Sequence, residues 1–343
     1  MKALVLEAYH CFEFKEVEKP VIAGDEVLVR VKAVGICGSD VHGMDGSTGR
    51  RIPPVIMGHE ASGQIVEVGK NVTGWSAGDR VTFDSTIYRL DDWYTRKGLY
   101  NLSDNRVVLG VSCGEYRMHG AFAEFVAVPQ HILYRLPDQV TYTQAAMVEP
   151  VAVAMHALSL AKPGLNDTVV IVGAGMIGLF VIQLLKVAGC GKIIAVDLDD
   201  DKLILAAQLG ATHCFNSKQV NVPAELASLT NGRGADQAFE AVGITPTVQL
   251  AIASVRKGGK LTLLGNLAPT IEFPLQAVVT RQLNVQGSCA ICGEYPAVLD
   301  LVAAGKVNVD ALVSAEAPLS EGADWFKRLY AKEKGLVKVI LKP

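Results

Sequence analysis

The chain has 343 residues, half of them hydrophobic and 20% charged, with a formal net charge of −3. That length accommodates two domains, each with its own core. Lys and Arg are scattered, so there is no basic footprint for nucleic acid or an anionic membrane, and neither partner is expected.

The N-terminus enters an alternating apolar segment without a basic flank or a small-residue cleavage site, which is not the pattern of a signal peptide. Seven cysteines (11, 37, 113, 190, 214, 289 and 292) are odd in number and dispersed, which predicts reduced thiols in a cytoplasmic protein. Cys289-Ala290-Ile291-Cys292 has the spacing of half a zinc ribbon or a redox pair, but no second pair or neighbouring His accompanies it, which favours packed thiols.

Residues 1 to about 130 read as short strands at 3–6, 26–33, 63–68, 80–83 and 123–128, separated by turns such as Ala23-Gly24-Asp25 and Ser76-Ala77-Gly78-Asp79. This predicts a small twisted β-barrel. Its loops carry Gly35-Ile36-Cys37-Gly38-Ser39-Asp40-Val41-His42 and Gly58-His59-Glu60. Cys37, His59 and Glu60 offer a soft, a borderline and a hard donor, a set suited to a catalytic zinc with one position open. From 84 to 119 the alternation breaks down.

Residues 143–161, rich in Ala, Met, Val and Leu without internal Gly, predict a helix containing Glu149-Pro150. A β-branched strand then leads into Gly173-Ala174-Gly175-Met176-Ile177-Gly178, an apolar helix over 179–188, and a second strand over 192–196 that ends in Asp197. That is a complete dinucleotide fingerprint. Gly173 permits the tight turn, Gly175 the approach of the pyrophosphate and Gly178 close packing of the helix. Asp197 can accept from the adenosine ribose hydroxyls, and Leu198-Asp199-Asp200-Asp201 contains no Arg, so NAD is favoured over NADP. Leu198 and Lys202, together with the strand-end residues Val242, Gly243, Leu264 and Gly265, complete the expected cofactor contacts. Strands at 235–240, 260–264 and 283–287, alternating with helices at 202–209 and 247–255, predict a doubly wound parallel sheet.

Gly58-His59-Glu60-Ala61-Ser62-Gly63 and Val66-Glu67-Val68-Gly69, with Cys37-Gly38-Ser39-Asp40-Val41-His42 upstream, resemble the zinc-dependent medium-chain alcohol dehydrogenases, and their polyol branch in particular. The resemblance runs from Met1-Lys2-Ala3 to Val337-Lys338-Val339-Ile340. It implies an α/β protein: a GroES-like β-barrel catalytic domain (1–148 and 290–343) plus a Rossmann doubly wound parallel sheet (149–289), with the active site between them and the last strand joining the barrel. It implies that Cys37, His59 and Glu60 bind zinc, with Glu149 either a further ligand or an orienter of bound water. Ser39 and His42 match the family's proton relay, Asp40 the carboxylate behind the zinc-bound His, and Lys338 a basic partner for that Asp. Ser39 and Asp40 also suit turn and capping roles, and His42 a surface imidazole. His119 and His156 are taken as structural.

Many such relatives hold a second, structural zinc through four cysteines. Arg89, Asp92, Thr95 and Ser103 stand at those positions here. One zinc per subunit is therefore expected, with this lobe closed by packing of Trp93, Tyr94, Leu99 and Tyr100. Arg117 suits either a polar substrate or solvent. The Arg-Tyr pair that sorbitol dehydrogenases present is replaced by Ala290-Ile291, which points away from sorbitol itself. The resemblance implies NAD-linked oxidation of a secondary alcohol, a polyol or phosphorylated sugar alcohol or a smaller alcohol, by a homodimer or homotetramer. The reading from another class is an NAD-binding regulatory or structural protein on the same fold.

Overall fold

The computed structural model describes residues 1–343, which form two compact units: Met1–Glu149 with Ile291–Gly305 and Val309–Pro343, and Pro150–Ala290 with Lys306–Asn308. The first begins with β1 (Lys2–Ala8), β2 (Cys11–Glu16) and β3 (Glu26–Gly35), then helix α1 (Gly38–Gly43), β4 (Val55–Ile56), β5 (Glu60–Val68), β6 (Arg80–Phe83) and β7 (Thr86–Ile87). Helix α2 (Trp93–Arg96), β8 (Val107–Val108), β9 (Phe125–Pro129), β10 (Leu133–Arg135) and α3 (Tyr142–Ala146) follow.

Two registers close the main barrel sheet on one long strand. β3 pairs along β5 on one edge, while on its other edge its first half takes β9 and its last two residues take the final strand, β18 (Lys338–Lys342). Register shifts within β3 produce the curvature that lets one strand serve three neighbours. The core alternates along these strands, with Val27, Val29, Val31, Ile65, Val81 and Phe83 buried. Phe326, on α11 (Gly322–Tyr330), stacks on Phe12 and meets Phe122 edge-on, sealing one end.

The helix expected over 143–161 is two helices, α3 and α4 (Val148–Ala161), with Met147 between them. Pro150 explains the break, because it has no N–H to return to the Ala146 carbonyl and its ring crowds that oxygen. α4 carries the chain from the first unit into the second.

The second unit holds β11 (Thr168–Val172), α5 (Met176–Val187), β12 (Lys192–Asp197), α6 (Asp200–Leu209), β13 (His213–Asn216), α7 (Val222–Leu229) and β14 (Ala235–Glu240). It continues with α8 (Thr245–Ser254), β15 (Val255–Leu263), α9 (Leu275–Thr280) and β16 (Asn284–Gly287). All neighbours pair in parallel in the order β13-β12-β11-β14-β15-β16, the doubly wound order with its switch point between β11 and β14. The chain returns to the first unit through α10 (Tyr295–Ala303), β17 (Val313–Pro318), α11 and β18, and β17 pairs in parallel with β18. No helix is long and apolar enough to cross a membrane.

Candidate active site

Three strand ends create the site. β5, β3 and β18 lie side by side, with Gly35 of β3 opposite Glu60 on one edge and Ile340 on the other. Glu60 opens β5, Lys338 opens β18, and Cys37 follows the end of β3. Glu60 and Lys338 therefore meet across the middle strand: Lys338 Nζ donates to Glu60 Oε2 and, at 3.0 Å, to the Ile36 carbonyl. Gly35 allows this crossing, since a Cβ there would collide with Glu60 Oε2. His59 follows Gly58, whose φ of 95° suits glycine and whose backbone presses against Gly110 and Gly120. The backbone bonds Ala121 N to Gly58 O (2.8 Å) and Phe122 N to Met57 O (2.9 Å) fix that segment, as does Ile56 N donating to His119 Nδ1.

The structure brings Cys37, His59 and Glu60 together, with one ligand atom from each within 4.8 Å of the others. Glu60 is fully buried, and while Lys338 occupies one of its oxygens, Oε1 has no partner. A buried carboxylate oxygen without a donor is costly unless something else occupies it. A thiol, an imidazole and an open carboxylate oxygen at this span fit zinc. His59 presents Nε2 to this side, 3.4 Å from Ser39 Oγ, while Nδ1 lies 3.4 Å from Asp40 Oδ1 on the other. Ser39 also donates to Cys37 Sγ through both its N–H (3.4 Å) and its hydroxyl (3.3 Å). His42 is exposed near the end of α1 and lines a cavity of about 430 Å³ with Asp45 and Tyr330. Glu149, in the first turn of α4, stands outside the three-donor cluster.

Charge is tightly managed here. Burial opposes ionisation of His59, but Asp40 and Cys37 outweigh it and hold the imidazole pKa well above its usual value in the metal-free site. Burial likewise works against the Asp40 carboxylate, yet His59 and Arg51 bring its pKa down to about 2. Glu149 is pushed up to about 8, first by burial, with Glu60 and Asp84 adding to the rise. Burial lowers the Lys338 ammonium pKa, but Glu60 and Cys37 raise it further.

The expected pairing of Lys338 with Asp40 does not occur. Lys338 belongs to Glu60, and Asp40 is held by Arg51, which the sequence reading had not singled out. The registers put Ile340 across Gly35 from Glu60, and Lys338, two residues earlier on β18, reaches the Ile36 carbonyl and the Glu60 carboxylate from there. Asp84 was also missed. It is buried, accepts from Tyr100 Oη (2.8 Å) and Thr86 N (2.9 Å), and is raised to about 6 by burial. A lone Arg in a Gly-Arg-Arg-Ile-Pro-Pro loop and a lone Asp after a strand carry no periodic signal.

In the second unit the expected nucleotide residues end or follow four adjacent strands, with Met176, Ile177 and Gly178 in the first turn of α5 and Lys202 in that of α6. Gly173 (φ 101°) follows β11 with Val242 packed against it, and a Cβ at Gly178 would collide with the Gly173 carbonyl. Gly175 N-caps α5 with no side-chain cap, and a Cβ there would meet nothing within 4 Å. That open helix end, with Met176 and Ile177 in its first turn, offers backbone N–H groups of the kind that suit a diphosphate. Asp197 ends β12 and accepts from Ala174 N (2.8 Å), Leu198 N (2.7 Å) and Asp199 N (3.1 Å). Leu198 and Lys202 are exposed beside it. Val242 and Gly243 follow β14, Leu264 and Gly265 follow β15, and the bare backbones of Gly243 and Gly265 press together.

The 84–104 region departs from the expected packing. Trp93 and Leu99 are 62% and 43% exposed. Order comes instead from Asp92, whose carboxylate receives Tyr94 N, Thr95 N and Asp104 N, and from Tyr100 stacked on Tyr88. A capping carboxylate satisfies backbone donors that packing would leave open. Arg117 is exposed and donates to Ser112 Oγ and the Pro53 carbonyl. Cys292 Sγ donates to the Gly98 carbonyl at 3.1 Å.

Residues 23–138 match the alcohol dehydrogenase GroES-like domain, and 177–304 the zinc-binding dehydrogenase domain. Sorbitol dehydrogenase of Bacillus subtilis (strain 168) is 33% identical over 348 residues, covering 100% of this chain and 97% of the relative. (R,R)-Butanediol dehydrogenase of the same organism is 33% identical over 354 residues, covering 100% of both. A Sinorhizobium meliloti 1021 protein described as a zinc-binding dehydrogenase, solved with NADP bound, superposes with a TM-score of 0.92 at 30% identity over 100% of this chain and 99% of its own. The chain belongs to the zinc-binding medium-chain alcohol dehydrogenase family. It is an oxidoreductase with a GroES-like barrel unit and a Rossmann unit.

Proposed function

We propose that this enzyme oxidises a secondary alcohol of the diol or polyol class to a ketone, with NAD as hydride acceptor and one zinc per chain. The observation that carries this reading is the convergence of Cys37, His59 and Glu60 around a buried carboxylate oxygen with no partner. Relatives named for sorbitol and butanediol support the substrate class. Arg51 and Lys338 are the cations beside the donors, and both are buried against carboxylates.

Bound zinc supplies a Lewis acid that lowers the pKa of a hydroxyl. Bound NAD supplies the hydride acceptor. The chain's own residues do the rest. Cys37 and Glu60 contribute two negative charges and His59 a neutral ring nitrogen. Ser39 Oγ, beside both Cys37 Sγ and His59 Nε2, is placed to accept the substrate's proton, and His42, exposed on the same helix, to pass it to solvent. Glu149 orients water or substrate from outside the trio. Asp197 holds the adenosine ribose, and the carboxylates of Asp199, Asp200 and Asp201 behind it repel a 2′-phosphate.

The test is a screen of vicinal diols and polyols with NAD and NADP, on zinc-loaded and zinc-stripped protein. NADH formation that requires zinc is expected, with elemental analysis returning one zinc per chain. Tight NAD binding without turnover of any alcohol would assign the fold to a binding role, and NADP outperforming NAD would overturn the part given to Asp197.

A further inference from the structure

We propose that Arg51 is a positioning residue of the metal site, locking the imidazole of His59 from both ends. This rests on the reading of Cys37, His59 and Glu60 as the zinc donors.

Arg51 is only 3% exposed. A guanidinium so buried needs partners, and each of its three nitrogens has one. Nε and Nη2 both donate to Asp40 Oδ1, at 3.1 and 2.9 Å, Nη1 donates to the Arg50 carbonyl at 2.9 Å, and Nη2 lies 3.4 Å from Ser39 Oγ. The two side chains it grips flank the imidazole. Asp40 Oδ1 faces Nδ1 and Ser39 Oγ faces Nε2, each at 3.4 Å. One rigid fork thus fixes the residue behind the ring and the residue in front of it.

Two further observations show that the protein is built around this fork. Helix α1 passes over Arg51 with a bare residue, Gly43, where a Cβ would collide with Arg51 Cγ. The Arg51 backbone is clamped on both sides, by Ser112 N donating to Arg50 O (3.2 Å) and Ile52 N donating to Ser112 O (3.1 Å). A lysine could not replace it, because one ammonium cannot reach Asp40, Ser39 and the Arg50 carbonyl in the planar geometry observed. Outer partners of this kind typically change metal affinity by about 10–100-fold.

The experiment compares wild type with Arg51→Met, Arg51→Lys and Gly43→Ala, each stripped and reloaded with Zn²⁺ or Co²⁺. Zinc affinity is read by competition with a chromophoric chelator, ligand geometry by the visible absorption of the Co²⁺ form, and integrity by far-UV circular dichroism and NADH binding. All three variants are expected to hold zinc about 10–100-fold more weakly with a shifted Co²⁺ spectrum, while NADH affinity is unchanged. Gly43→Ala keeps the charge and displaces only the side chain, so it decides the matter if Arg51→Met fails to fold. Folded variants with wild-type zinc affinity and spectrum overturn the role of Arg51 alone. A wild type that takes up no zinc overturns the metal-site reading and this inference together.

Discussion

The metal-donor end of the barrel and the nucleotide turn of the parallel sheet solve opposite construction problems. At the barrel end, function lies in side chains, and each is held by another charged or polar group: Glu60 by Lys338, Asp40 by Arg51, Cys37 by Ser39. At the turn, the proposed function lies in backbone, and the structure is made by omitting side chains at Gly173, Gly175 and Gly178. Damage should follow the same division. The first site should fail when a partner is removed, and the second when a methyl group is added or a ribose acceptor is lost.

The sharpest way to break this contrast is Cys37→Ala. Metal retention and turnover should both fall by more than about a hundredfold, the upper end for an outer partner, because a donor itself is lost. NADH binding should persist, and unchanged turnover would remove Cys37 from the chemistry. Next in size, Asp197→Ala should cut the preference for NAD over NADP by roughly tenfold to a hundredfold, the value of hydrogen bonds to a charged acceptor; steady-state kinetics with both cofactors will show it. Gly178→Ala should cost about 1–3 kcal/mol by overpacking against the Gly173 carbonyl, read in thermal melts, and should weaken NADH binding without releasing zinc.

The smallest effect concerns pH. In metal-free protein the Glu149 pKa stands near 8, above its unfolded value, so stability associated with its neutral form is present at low pH and is lost as pH rises through about 8. Glu149→Gln should therefore match the parent near pH 4 and melt a few degrees higher near pH 9 once zinc is removed. Parallel melting curves at all pH values would show that Glu149 does not carry this charge penalty.

The sequence disclosed these two regions unequally. The strand, glycine turn and helix around Gly173 stand where the sequence predicts them, because the strand and helix have clear periodicity and Gly173 and Gly178 answer local backbone demands. Cys37, His59 and Glu60 could be picked out as donors, but what holds them could not. Arg51 acts from a loop with no periodic signal and Lys338 across 278 positions of the chain, so Arg51 went unnoticed and the partner given to Lys338 was the wrong carboxylate. The strands β4, β7, β8 and β10 escaped notice because two or three residues give too few alternations. In the 84–104 loop, aromatic residues suggested a packed plug, whereas Asp92 supplies the order by capping a four-residue helix and leaves Trp93 in solvent.

The Glu60–Lys338 pair spans 278 positions of the chain. The three proposed donors, Cys37, His59 and Glu60, precede residue 338 by most of the chain, and until β18 docks beside β3 the carboxylate of Glu60 lacks this counter-charge. If those three residues are the zinc donors, the receptacle is complete only once the last strand of the chain stands beside β3.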